Sequence, residues 1–191
     1  MPTYVTHYHP ASRRPFLNLS ELDGPQLDDV LQELADERAR GDSARVFGRR
    51  YMELRRRTEE ALRTGFMARG GRPERSSPHY FVLGSSPWYR GLARDMQEVT
   101  MPVAALPPEA STFTIPDSFT AMGLGADYGL HHQPRPYHRQ VFGIAQLTEV
   151  VDRFGLPEGG EPGYDNYQGR PFERYVEIQL WSDAPVRRWL E

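Results

Sequence analysis

Residues 174–181, RYVEIQLW, decide how this chain is read. Their apolar members alternate, so on an extended backbone Val176, Ile178 and Leu180 share one side and Tyr175, Glu177 and Gln179 the other. The apolar side must face a core. Glu177 therefore stands on the opposite side, beside Tyr175 and Gln179. Its plain reading is a solvent-facing glutamate on a half-exposed strand. Its chemical reading is a carboxylate held on rigid sheet among hydrogen-bonding neighbours, suited to positioning a hydroxyl or stabilising a developing cation. Arg170, Glu173 and Arg174, just upstream, thicken the polar setting.

Outward from that strand, the rest of the chain sorts into short strands and helices. Tyr4–His9 (YVTHYH) reads as a strand ended by Pro10, and His79–Leu83 (HYFVL) as another. Glu98–Val103 is a strand that Pro102 confines to a sheet edge, and Ala110–Ile115 and Arg139–Ile144 add two more. Helices are expected from Pro25 to about Arg40, from near Ser43 to Gly65 or Gly70-Gly71, over Trp88–Met96 and over Gln146–Phe154. Asp117–Pro136 and Pro157–Gly169 read as long loops. There is no regular β-α-β alternation and no GxGxxG after a strand, which argues against a doubly wound dinucleotide fold. The expected class is α+β: one domain over residues 1–191, with a mostly antiparallel sheet and a helical hairpin inserted at 20–68.

Composition closes off several chemistries. The 191 residues include no cysteine, and all 23 basic residues are arginine. Thiol nucleophiles, Cys-ligated metals, the Walker lysine and Schiff-base catalysis are thereby excluded. Hydrophobic residues are 38% and charged residues 26%, the balance of a globular protein, and no apolar run approaches a membrane span. A cytoplasmic location without membrane contact is expected. The hairpin is electrically divided: residues 16–44 carry eight acids and two arginines, residues 45–75 ten arginines and four acids. Those charges can face one another or water. Alternatively the stripe Arg49, Arg50, Arg55, Arg56, Arg57 contacts nucleic-acid phosphates, and the protein is a non-enzymatic binding module for nucleic acid or protein.

Three further constellations carry chemical potential. Arg75 precedes the strand 79–83, and Ser85 and Ser86 follow it at a helix start, a pattern suited to an anion; Trp88 and Tyr89 can stack on a ring. Asp117 and Ser118 follow a strand directly, and either cap a short turn or reach into a cleft. His7 and His9 share a strand face, and His131, His132 and His138 lie in the long loop. With Asp127 or Glu177 they could assemble a Zn²⁺ or Fe²⁺ site, although the spacing matches no strong metal signature.

In their order, these blocks resemble the DarT-type DNA ADP-ribosyltransferase toxins. The matching pieces are Val5-Thr6-His7, Arg75, His79-Tyr80-Phe81 with Ser85-Ser86-Pro87-Trp88-Tyr89, Thr112-Phe113-Thr114 with Asp117, and Glu177. The resemblance covers some two thirds of the chain on short, permissive motifs. Ile115-Pro116-Asp117-Ser118 stands where the family has Asp-Gly, and Arg69 or Arg72 competes with Arg75 for the family arginine. The resemblance implies a split-sheet fold binding NAD, with Glu177 and Arg75 catalytic. Thr6, His7, Tyr80, Ser85, Ser86, Trp88 and Tyr175 would hold the cofactor. ADP-ribose would pass to an acceptor, a nucleic acid among the candidates, with no metal required.

Overall fold

The computed structural model describes residues 1–123, 133–157 and 173–191. The strands are β1 (Tyr4–Pro10), β2 (His79–Leu83), β3 (Met96–Pro102), β4 (Ser111–Thr114), β5 (Phe142–Gly143) and β6 (Glu177–Leu180). They form one six-stranded sheet in the order β3-β1-β2-β6-β4-β5, antiparallel at every neighbouring pair. The helices are α1 (Gly24–Ala39), α2 (Arg49–Ala68), α3 (Pro87–Arg90), α4 (Ser118–Ala121) and α5 (Leu147–Phe154). The class is α+β, and β3 with its Pro102 is an edge, as the sequence indicates.

Register divides the sheet into two chemically distinct faces. Phe81, Ile178, Phe113 and Phe142 stand abreast on one, joined by Val5, Leu83 and Leu180. These pack with Leu147, Val150 and Val151 of α5 and with Val186 into the main core. Burying each such side chain is worth about 1.5–3 kcal/mol. On the other face Thr6, Val82, Glu177 and Thr114 form one row, and Tyr80, Gln179 and Thr112 the next. A polar row under a helix is unusual. Here α2 covers its β4–β6 end, where Leu62 and Phe66 pack on Trp181 and Val141. α1 meets α2 through Leu27, Leu31 and Met52, and Arg49 reaches Asp28 at 2.6 Å.

β1 and β2 diverge. They pair only at Val5–Leu83 and Thr6–Val82, whereas β1 runs beside β3 for its whole length. Beyond Thr6 the His7 side chain stands in for the missing ladder. Its Nε2 accepts from the Phe16 amide at 3.0 Å, so the proton sits on Nδ1, which donates to the Tyr80 carbonyl at 2.9 Å. Burial lowers the His7 pKa to about 4, in keeping with a neutral ring.

Several boundaries differ from expectation. Residues 43–48 are not helical: Ser43 bridges Ala93, and the Ala44 amide donates to the Leu92 carbonyl at 2.8 Å, so α2 begins only at Arg49. The same pairing stops α3 at Arg90, and Met96 already belongs to β3. The strand expected over 139–144 contracts to Phe142–Gly143, with Arg139 at φ 60° just before it. β6 keeps a ladder from Glu177, although the Val176 carbonyl still accepts from the Leu83 amide. Of the two expected loops, 124–132 and 158–172 lie outside the described residues; the first opens as α4.

Candidate functional site

A cleft of about 860 Å³, within the range of small-molecule and cofactor sites, is lined by residues from both faces of β1 and β2, Thr6 and Tyr80 from one and His7 and Phe81 from the other, together with residues 43–47. Glu177, Asp117, Tyr80, Tyr89, Tyr175 and Arg45 are among the residues that line it. Glu177 is only 8% exposed, because α2 and the turn into α4 cover the strand face that alternation leaves polar. Its Oε1 accepts from the Gln179 side-chain amide at 3.1 Å and from the Ser118 backbone amide at 3.3 Å. Burial, then the neighbouring charge of Asp117, push its pKa up to about 7.

Asp117, a lining residue, follows a cis Ile115–Pro116 peptide. Its Oδ1 caps α4 by accepting from the Thr120 amide at 3.1 Å, and its secluded Oδ2 has no hydrogen-bond partner among the described residues. Burial raises this carboxyl to about 6. The two readings weighed for Asp117 therefore hold together: it caps a turn and lines the cleft.

The aromatic wall is built by α3. Ser86 caps that helix by accepting from the Tyr89 amide at 3.2 Å, and its own amide donates to the Tyr8 hydroxyl at 2.8 Å. Tyr89 then stacks on Tyr8 (centroids 5.1 Å) and Trp88 on Tyr175 (5.9 Å). Arg45 lies 4.6 Å from the Phe47 ring centroid and 5.5 Å from that of Tyr89.

A second network fastens α2 to the sheet. Glu59, 3% exposed, accepts at Oε1 from the Tyr80 hydroxyl (2.9 Å), Ser20 (2.9 Å) and Arg55 Nε (3.0 Å). Arg55 also reaches Asn18 and Tyr51. Burial opposes its charge, but Tyr51, Tyr80 and Glu59 outweigh that and leave it firmly protonated.

Of the sequence-singled residues, Thr6, His7, Tyr80, Trp88, Tyr175 and Glu177 border the cleft. Thr6 is engaged with the Gly84 carbonyl at 2.6 Å. His7 projects from the apolar face, against Phe16 and Phe81, with both ring nitrogens already bonded. Arg75 and the Ser85–Ser86 turn do not come together. Arg75 lies at the Trp181 end of β6, its guanidinium paired with Asp183 and Glu21. Ser85 and Ser86 follow β2 at the Glu177 end, with Ser85 exposed and Ser86 spent as a cap. Within the arginine stripe, Arg49 is tied to Asp28, Arg55 to Glu59 and Arg56 to the Leu22 carbonyl.

His7 and His9 stack with ring centroids 6.1 Å apart but bond different backbone carbonyls. His9 bonds the Arg13 carbonyl, His138 lies 3.3 Å from Glu173, and His131, His132 and Asp127 fall outside the described residues. Among the described residues no three metal-ligating side chains are grouped. Sequence reasoning passed over Arg45, Tyr51 and Glu59. The i, i+4 series Tyr51-Arg55-Glu59 was the available signal for the last two. Compared with known proteins, the chain matches no family model, no curated protein and no solved structure.

Proposed function

We propose that this chain is an NAD-consuming ADP-ribosyltransferase, with its cofactor in the cleft. The observation that carries the reading is the cleft's lining: a buried glutamate among the tyrosines Tyr80, Tyr89 and Tyr175, with Arg45 5.5 Å from the Tyr89 ring centroid. NAD has the complementary layout, a cationic nicotinamide ring and ribose at one end and a pyrophosphate one ribose away. Tyr89 and Tyr175 flank the ring, and Glu177 orients the nicotinamide ribose and stabilises the oxocarbenium-like state as nicotinamide leaves. The pyrophosphate faces Arg45. Arg75, in this reading, acts on the fold and not on the cofactor. The acceptor is a nucleic acid, in keeping with the family resemblance; the ties of Arg49, Arg55 and Arg56 weigh against binding through the helical stripe alone.

The test is nicotinamide release from NAD by the purified protein, with and without single-stranded nucleic acid, beside a Glu177→Gln variant. Release by the wild type and its loss in a folded variant supports the reading. An inert wild type that also fails to bind NAD overturns it.

A further inference from the structure

Glu177 does not stand alone on β6; a one-way chain of hydrogen bonds reaches it through the sheet. The Trp181 indole, which can only donate, gives its N–H to the Thr112 hydroxyl oxygen at 2.9 Å. That hydroxyl must then direct its own hydrogen elsewhere, and it donates to Gln179 Oε1 at 2.9 Å. The carboxamide orientation is thereby fixed, with its NH₂ turned to Thr114 Oγ1 (3.2 Å) and to Glu177 Oε1 (3.1 Å). Trp181, Thr112, Thr114 and Gln179 are all fully buried. With the Ser118 amide as a second donor, Oε1 is the oxygen claimed by the protein. Oε2 takes no hydrogen bond from the described residues, and Glu177 lines the cleft.

We propose that Gln179 is the positioning residue of the site, set in one orientation by Trp181 and Thr112 so that Glu177 presents Oε2 to the substrate. Without the relay the carboxamide orientation would rest on Glu177 alone, and a flipped carbonyl would repel the ionised carboxylate. The relay makes one orientation obligatory. This inference rests on the NAD reading for its catalytic consequence, but its geometric content stands apart from any reaction. The other groups that bear on Glu177 are Asp117, Arg55, Tyr80, Tyr89 and Tyr175. None of them donates to Oε1 in place of Gln179.

The experiment titrates Glu177 by carbon-13 NMR on carboxyl-labelled protein, its signal assigned by its disappearance in Glu177→Gln. Gln179→Met, which keeps the length and removes the donor without adding a charge, is expected to raise the midpoint by about one pH unit. Thr112→Val, which frees the carboxamide without touching Glu177, is expected to raise it by less. In the release assay Gln179→Met lowers kcat about 100-fold with KM for NAD within about twofold, the signature of a lost orientation and not of lost binding. Unchanged Glu177 midpoints in both folded variants overturn the proposal. An inert wild type with shifted midpoints overturns the NAD reading and leaves the positioning role in place.

Discussion

Two charged clusters sit at opposite ends of the same pair of strands, and they are built on opposite plans. At the Leu180 end, Arg75 pairs with Asp183 and Glu21, and His79 bonds Asp183 at 2.8 Å. Each charge there has an opposite charge against it, and Asp183 and Glu21 are half exposed. At the Glu177 end two carboxyls stand together, and each is raised by burial above its ordinary value. One oxygen of Asp117 has no hydrogen-bond partner among the described residues. A matched cluster near water adds modestly to stability and has little left to offer a ligand. An unmatched, desolvated one costs stability and is poised for chemistry. Arg75 and Glu177, joined by the sequence reading, belong to different plans.

The largest expected effect comes from the network that lets α2 roof the unmatched end. Glu59→Gln removes the carboxylate against the buried Arg55, and loss of a partner to a buried charge costs about 3–5 kcal/mol. Chemical denaturation would register it, and a cost below 1 kcal/mol would mean that α2 is held by its apolar side alone.

Next in size, Glu177→Gln is expected to lower nicotinamide release about 1,000-fold, as removal of an electrostatic stabiliser does. Arg75→Ala should leave release within about threefold, in line with a role in folding only. Equal losses from both variants would erase the distinction between the two ends.

The pH dependence of stability separates the clusters further. Because Glu177 and Asp117 hold their protons more tightly folded than unfolded, the stability they lend is full below about pH 4 and is lost as pH rises through 6 to 7. Glu177→Gln should therefore stabilise the fold at pH 8 by about 3 kcal/mol, and this gain should vanish near pH 4. His7 acts with the opposite sign: its pKa is depressed to about 4, so its contribution is present above about 6.5 and lost as pH falls through 4. Thermal melts from pH 4 to 8 would resolve the two. The smallest effect belongs to Arg75→Ala, about 1 kcal/mol and reduced by salt, since its partners are half exposed.

What could be read from the sequence was what periodicity and punctuation encode. The alternation in residues 174–181 placed Glu177 on the face opposite Ile178, and Pro102 marked the edge strand; both hold in the fold. Alternation cannot say what covers the polar face, so the burial of Glu177 beneath α2 and α4 was not readable. Nor could the helical pattern from Ser43 show that residues 43–48 would be drawn into pairing with 92–93, a long-range contact that overrides local propensity. Arg75 looked like a site residue because it precedes a strand that borders the site. Which end of that strand it serves depends on the antiparallel partnership of β2 with β6, and no local signal carries it.

The most direct test of the account is a crystal structure of Glu177→Gln soaked with NAD, in which binding is kept and turnover suppressed. The account predicts the nicotinamide ribose within hydrogen-bonding distance of residue 177, the nicotinamide ring beside Tyr89 and Tyr175, and the pyrophosphate at Arg45. NAD seated at Arg75 and Asp183, or a cleft that stays empty at saturating NAD, would contradict it.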